Sequence, residues 1–226
     1  MEYAFKAVTN DGLTCIAVAS PECAVVAIPK HFPDTKALMD ASTCTRVFRI
    51  SKSIGCVGVG LIADVRLQVA RAMDECGEFA YKNGFEMPVD MLARRMGDLN
   101  QLNTQNAGMR LLAASLLLIG GDIDENGNCS LWKVDPAGHF VQMRACSLGA
   151  KGQEVQNALE KRFKKGEVKT EDECIKVAIS TLCNILGSDY SGEELEVGIV
   201  QREEGRFRAL SSEKIEEYLT AIGESD

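Results

Sequence analysis

The chain has 226 residues, a formal net charge of −8 and an apolar fraction of 46%. This length and composition suffice for a buried core without disulfide or metal staples, and they exclude wholesale disorder. The acidic balance argues against nucleic acid and anionic membranes as main partners. The nine cysteines form no C-x-x-C pair and the sequence has two histidines, so zinc-ligand spacing is missing and a reducing compartment is indicated.

The first quarter of the chain predicts a short helical segment and then a series of strands. The helical segment covers 2–7, and Asn10-Asp11-Gly12 predicts the turn that follows it. Because the next apolar runs follow one another with no helical pattern between them, we expect them to form an antiparallel sheet rather than a β-α-β alternation. These runs cover 14–19, 23–28, 47–50 and 54–59.

Two helices are predicted next. Apolar residues recur at three- and four-residue spacing between Ile62 and Ala80, with Met73 among them, so this helix lays one apolar stripe on a sheet. Gly84 is expected to end it. A second helix begins near Pro88, and its buried face is marked by Leu92, Met96, Leu99 and Leu102.

The rest of the chain repeats this order of strands followed by helices. Strands are predicted at 111–119, 130–134 and 139–145, and a helix at 153–164 precedes one that Thr170 caps. A late strand at 195–201 leads to a last helix that begins at Ser211 or Ser212. The order favours one α+β domain over 1–226, with two sheets face to face and helices outside each: a four-layer α-β-β-α sandwich.

Three short features have a chemical interpretation and a plainer structural one. The pattern D-x-D-x-N-G at 122–127 matches the first half of a calcium loop, but Lys133 occupies its twelfth position, so an acidic hairpin is favoured. The segment 149–152 lacks the Walker spacing and favours a strand-to-helix turn. Neither His31 nor His139 has an evident nucleophile or carboxylate partner, so we assign no catalytic role to them.

Several segments together resemble the alpha subunits of the proteasome core particle, in the family's order and across the whole chain. They are Glu2-Tyr3-Ala4-Phe5-Lys6-Ala7, Gly12-Leu13-Thr14, Gly60-Leu61-Ile62-Ala63-Asp64-Val65-Arg66, Thr104-Gln105-Asn106-Ala107-Gly108-Met109-Arg110 and Asp135-Pro136-Ala137-Gly138. Together with Met87-Pro88-Val89-Asp90-Met91-Leu92, they are most similar to the type-6 branch, which holds the alpha-1 ring position. The resemblance implies the N-terminal-nucleophile hydrolase (proteasome subunit) fold, which agrees with the four predicted layers.

The resemblance implies a structural subunit rather than an enzyme. Catalytic beta relatives attack through an N-terminal threonine that is exposed by cleavage after a glycine, whereas here Leu13 follows Gly12 and Thr14 lies within a strand. The family's supporting aspartate aligns near Pro29, and its lysine aligns with Arg46, whose guanidinium cannot act as a neutral base. The alternatives are a catalytically active threonine peptidase that is processed to begin at Thr14, and an acidic α/β metabolic enzyme, for which no cofactor fingerprint is present.

The resemblance also implies partners and sites, but no cofactor or metal. Alpha subunits form the outer rings of the 20S particle, contact neighbouring alpha and beta subunits, and dock proteasome activators for ubiquitin-dependent protein breakdown in cytoplasm and nucleus. Activator tails enter pockets between alpha subunits. In this chain Arg46 replaces the lysine that the family has in such a pocket, and Gly60 would leave room for the tail backbone. The alternative for Arg46 is a surface arginine at the end of a strand. Glu2 and Tyr3 match gate-associated residues, and the gate tail that precedes them in the family is expected to be missing.

Overall fold

The computed structural model describes residues 2–30, 40, 43–187 and 190–224. His31 and most of the loop predicted at 29–40 lie outside the described residues. Within them the elements are, in chain order, α1 (Glu2–Asn10), β1 (Thr14–Ala19), β2 (Cys23–Pro29), β3 (Val47–Arg49), β4 (Ile54–Gly60), α2 (Ile62–Asn83), α3 (Val89–Gln105), β5 (Ala114–Ile123), β6 (Cys129–Val134), β7 (Phe140–Gln142), β8 (Ala145–Gly149), α4 (Gly152–Lys165), α5 (Glu171–Leu186), β9 (Leu195–Gln201), β10 (Phe207–Ala209) and α6 (Ser212–Gly223).

The strands form two antiparallel sheets that pack face to face. Sheet A has the order β10-β9-β2-β1-β8, and sheet B has the order β3-β4-β5-β6-β7. The described residues form three buried hydrophobic clusters between the layers. One lies between sheet A and the helices α4, α5 and α6, one lies between the two sheets, and one lies between sheet B and the helices α2 and α3. The α+β fold and the four-layer α-β-β-α order predicted from the sequence are therefore confirmed.

The expectation that the first four strands form one sheet is wrong. β1 pairs with β2 and β8 in sheet A, whereas β3 pairs with β4 in sheet B. The turn signals were correct for each hairpin, but a turn fixes only the pairing of the strands that it joins. The long connection between β2 and β3 carries the chain from one sheet to the other.

The single strand predicted at 139–145 is likewise two strands. The backbone N–H of Met143 donates to the carbonyl of Leu131 in sheet B at 2.9 Å, and the carbonyl of Arg144, the next residue, accepts from Ala19 in sheet A at 2.8 Å. The chain therefore changes sheets between two adjacent residues. The alternation of apolar residues continues from one sheet into the other, so the sequence pattern does not show where the chain changes sheets.

The predicted helices are present with the expected ends. α2 ends at Gly84, which has φ +78, and the hydroxyl of Thr170 caps α5 by accepting from the N–H of Glu173 at 3.4 Å. Ser211 caps α6 in the same way. Two side chains predicted to be buried, Met73 and Leu102, are 41% and 44% exposed. None of the helices in the described part of the chain combines the length and apolar character that crossing a membrane requires.

Candidate functional site

Arg46 lies immediately before β3, and its side chain is only 14% exposed. One terminal nitrogen, Nη1, donates to the carbonyl oxygen of Gly60 at 2.7 Å. The other, Nη2, pairs with the carboxylate of Asp11 at 3.0 Å. The structure thus brings together the two predicted pocket residues, and it shows Arg46 largely buried and paired within the chain.

Gly60 ends β4 in a conformation that only glycine adopts readily. Its φ is +116, and a Cβ at this position would overlap the carbonyl oxygen of Ala113 at the start of β5. The same carbonyl accepts from the N–H of Leu61 at 2.8 Å, so it cannot move aside without loss of that bond. Gly60 therefore holds its N–H and its carbonyl at fixed positions beside Arg46.

Asp11 is a residue of this site that the sequence did not reveal. It follows α1 directly, and its turn was predicted without a role for its carboxylate. One carboxylate oxygen, Oδ1, accepts from Arg46, and the other, Oδ2, accepts from the backbone N–H of Gly60 at 3.4 Å. One internal carboxylate thus accepts from both Arg46 and Gly60.

A second carboxylate, that of Glu196, holds the backbone of Arg46. A single oxygen, Oε2, accepts from the N–H of Arg46 at 2.9 Å, the N–H of Val47 at 3.1 Å and the hydroxyl of Thr45 at 3.1 Å. Burial raises the pKa of Glu196, and these hydrogen bonds partly oppose the rise. Because Glu196 belongs to β9 of sheet A, it fixes the entry into β3 of sheet B across the two sheets.

The two residues predicted to be associated with the gate, Glu2 and Tyr3, lie at the start of α1. Glu2 is exposed and pairs with Lys6 at 2.7 Å, and Tyr3 is 86% exposed. α1 buries Ala4 and Val8 on its other side. Since a nine-residue helix is about 13 Å long, Glu2 and Tyr3 are separated from Arg46 by roughly the length of α1.

Thr14, the hydroxyl nearest to the position of a family nucleophile, is not arranged for attack. It is fully buried in β1 and pairs with Gly149 of β8. Its hydroxyl oxygen accepts from the backbone N–H of Lys151 at 3.0 Å. A nucleophilic threonine needs a free α-amine and access to substrate, and Thr14 has an amide nitrogen within a strand.

The acidic residues at 122–127 form the predicted hairpin between β5 and β6. Asp124 accepts from the backbone N–H groups of Asn126 and Asn128, and Asp122 accepts from the N–H of Val89 at the start of α3. Among the described residues, no group of three or more His, Cys, Asp or Glu side chains is arranged to hold a metal ion. The carboxylates here are engaged in shaping the turn and capping a helix.

A cavity of about 700 Å³ lies on another part of the surface, where β2 and β9 meet the start of α5. Acidic side chains dominate its lining, among them Glu22, Glu171, Glu203 and Glu204. Two of these are engaged locally: Glu22 accepts from the N–H of Glu171, and Glu171 accepts from Gln201 and Arg208. The cavity is separate from the cluster at Arg46.

Comparison with known proteins gives consistent matches over the whole chain. The family model described as "Proteasome subunit" matches residues 9–200. The chain is 45% identical to a probable proteasome subunit alpha type-1 of Schizosaccharomyces pombe and 42% identical to a proteasome subunit alpha type-6 of Caenorhabditis elegans, over 100% of this chain and 91% and 90% of those proteins. It is 31% identical to a proteasome subunit alpha of Methanopyrus kandleri, over 98% of this chain and 86% of that protein.

Proposed function

The chain belongs to the proteasome subunit family as a non-catalytic member of the outer alpha ring, and we propose that it takes part there in gating substrate entry and docking activators. The observation that carries this function is similarity to alpha subunits along the full chain. The ring delivers proteins to catalytic beta subunits, so the chain serves ubiquitin-dependent protein breakdown without performing the cleavage. Its partners are neighbouring alpha and beta subunits and the activators, with no role for nucleic acid or membrane.

Support for assembly comes from apolar side chains that this chain alone leaves in water. Tyr81 is 92% exposed and Phe85 59% exposed, and Leu67, Met91 and Met109 are also exposed. Burial of such a side chain against a partner is favourable, because it removes apolar surface from water. For a member of this family, the neighbouring subunits of the ring are the partners that would cover these side chains.

The proposed place of action is the cytoplasm and nucleus. None of the nine cysteines, all of which lie within the described residues, forms a disulfide, and seven of them are buried. Burial raises the pKa of the thiols of Cys56 and Cys129 to about 12, so these groups pack as small apolar side chains rather than react. A chain rich in cysteines that form no disulfide suits a reducing compartment.

Native mass spectrometry of the endogenous particle tests the structural role. We expect the chain to be released from a very large stacked-ring assembly with a terminus that does not begin at Thr14. A catalytic beta subunit of the same particle is the control, because its mass must show loss of the residues before its threonine. Recovery of this chain as a free monomer or dimer, or with Thr14 as its first residue, would contradict the proposal.

The activator pocket is proposed at Arg46 and Gly60, and the gate contact at Glu2 and Tyr3. A guanidinium can bind a tail carboxylate through charge-assisted hydrogen bonds, and Arg46 lies 2.7 Å from the Gly60 carbonyl, beside the backbone that a tail would follow. Tyr3 offers an exposed aromatic ring to the gate segments of neighbouring subunits. Helix α1 connects the two sites: Glu2 and Tyr3 lie at its start, and Asp11, which directly follows it, contacts Arg46 and Gly60.

The pocket is tested with particles that carry Arg46→Gln. The probe is a synthetic peptide with a free C-terminal carboxylate and a photoreactive group, compared with the same peptide amidated. A hydrogen bond to a charged group contributes about 1.5–3 kcal/mol, so we expect cross-linking of this chain at limiting peptide to fall about tenfold with either change. Arg144→Gln, which removes an exposed arginine paired with Glu167, is the control. Equal cross-linking by the wild-type and Arg46→Gln chains would exclude the pocket.

A further inference from the structure

The carboxylate of Asp11 occupies the donors that a tail carboxylate would use. It accepts from the Arg46 guanidinium at 3.0 Å and from the Gly60 N–H at 3.4 Å, and its side chain is 17% exposed. These are the residues proposed above as the pocket. An incoming carboxylate group therefore meets a site that already holds a carboxylate of the same chain.

We propose that Asp11 is an internal competitor of the activator's C-terminal carboxylate, so that this pocket accepts a tail only when Asp11 moves away. The inference rests on the proposed pocket at Arg46 and Gly60. It makes Asp11 a residue that sets the selectivity of this ring position for a carboxylate-terminated partner. Tails enter more readily at a position whose pocket cation has no internal partner.

The charges around Arg46 support competition rather than joint binding. The positive charge of Arg46 is balanced by Asp11, and the positive charge of Lys30 partly opposes the rise in the pKa of Glu196, which binds the Arg46 backbone. A third carboxylate would have to share the guanidinium of Arg46 with Asp11. Displacement of Asp11 leaves Arg46 free to pair with the newcomer at unchanged net charge.

A carboxylate of the same chain also competes at an effective concentration that does not depend on how much activator is present. A free tail carboxylate has to exceed this advantage through the rest of its contacts. The chain's own geometry thus lowers the affinity of the pocket without blocking it.

Asp11 can leave without dismantling the site. It lies after the last residue of α1 and before β1, so rotation of its side chain breaks no bond between strands. Arg46 stays in position when Asp11 departs, because Nη1 still donates to the Gly60 carbonyl and Glu196 still holds its backbone. The pocket with Asp11 displaced therefore keeps its cation aimed at the same point.

Assembled particles with Asp11→Asn test the inference with the two peptides described above. Asparagine keeps the shape of the side chain and removes its charge. We expect the peptide concentration at half-maximal cross-linking of this chain to fall about tenfold for the carboxylate peptide, which corresponds to about 1.4 kcal/mol, and to stay the same for the amidated peptide. Glu167→Gln, which removes one exposed carboxylate that pairs with Arg144, is the matched control and should change neither value.

The outcomes separate this inference from the pocket proposal. If Asp11→Asn leaves carboxylate-dependent binding unchanged or weakens it, Asp11 does not compete, whereas the pocket stands. If no chain binds the carboxylate peptide better than the amidated one, both proposals fail. Asp11→Ser, a smaller uncharged replacement, repeats the test should the asparagine variant fail to enter particles, and native mass of the particles checks assembly for each.

Discussion

Replacement of Gly149 by alanine is expected to lower the free energy of unfolding by at least about 3 kcal/mol. Gly149 has φ +109 at the end of β8, where a residue with a Cβ loses about 1–3 kcal/mol to backbone strain alone. The added Cβ would also overlap the carbonyl oxygen of Leu13. That carbonyl accepts from the N–H of Ala150 at 3.0 Å, so relief of the overlap breaks a hydrogen bond between β8 and the start of β1.

The measurement is a urea titration in which limited proteolysis reports the unfolded fraction of the chain. It can be made on the chain within particles or on the isolated chain. Gly77→Ala is the matched control, because Gly77 lies on the exposed side of α2 and an added Cβ meets no atom within 4 Å. Alanine in a helix interior is favoured over glycine by about 0.8–1.0 kcal/mol, so this variant should be more stable than wild type. A Gly149→Ala chain that unfolds at the wild-type urea concentration would refute the argument from backbone geometry.

Gly149 and Gly60 have the same place in the two sheets. Each ends a strand with positive φ immediately before a helix, and each faces the carbonyl that precedes its partner strand, that of Leu13 or Ala113. In each case the next N–H, of Ala150 or Leu61, donates to that carbonyl. The sequence predicted a strand-to-helix turn at 149–152, but the opposing carbonyls come from distant segments, so the close approach at both glycines required the structure.

The helices were the most predictable part of the fold. Apolar spacing placed α2, and the Thr170 hydroxyl with Glu173 placed the start of α5. These signals act over four residues or fewer, which is why one sequence suffices to read them. The assignment of strands to sheets depends on packing between distant segments, which local patterns do not show. The prediction that the first four strands form one sheet was therefore wrong, and so was the prediction of a single strand at 139–145.

The candidate site also has residues that could be predicted from the sequence and residues that could not. Arg46 and Gly60 came from resemblance to a family, which carries information about distant neighbours that local patterns lack. Asp11 and Glu196 were missed because they lie 35 and 150 residues from Arg46 along the chain. The Asp-Gly pair at 11–12 is a sufficient reason for a turn, and nothing local shows that the same aspartate also holds a cation.

Replacement of Asp64 by asparagine is expected to lower the free energy of unfolding by about 2–3 kcal/mol, because hydrogen bonds to charged groups contribute about 1.5–3 kcal/mol. The residue is 1% exposed, and its carboxylate accepts two bonds of 2.6 Å from the guanidinium of Arg110. It also accepts from the N–H of Ala113 at 2.8 Å, which precedes β5. An amide group in its place presents N–H donors toward other donors. Arg110 is 64% exposed and can turn to water, so the loss stays below that of a fully buried pair.

The effect of Asp64 should depend on pH in a defined direction. The bonds from Arg110, and then that from Ala113, hold the pKa of this carboxyl below its ordinary value of about 3.8. The folded state therefore binds the proton less tightly than the unfolded state, and the stabilisation is complete above the unfolded pKa and lost as pH falls through the folded one. The free energies of unfolding of the wild-type and Asp64→Asn chains should differ fully at pH 7, and the difference should shrink as the pH falls below the ordinary carboxyl pKa of about 3.8.

Glu78→Gln provides the control for this last prediction. Glu78 also pairs with a cation, Lys82, at 2.9 Å, and that pair lowers its pKa, but both side chains are largely exposed. Water competes for exposed ion pairs, so this variant should lose much less stability than Asp64→Asn at every pH. If Glu78→Gln and Asp64→Asn lost equal stability, general charge balance would account for both. A loss confined to Asp64→Asn, and to neutral pH, assigns the stabilisation to the carboxylate that joins α2 to the start of β5.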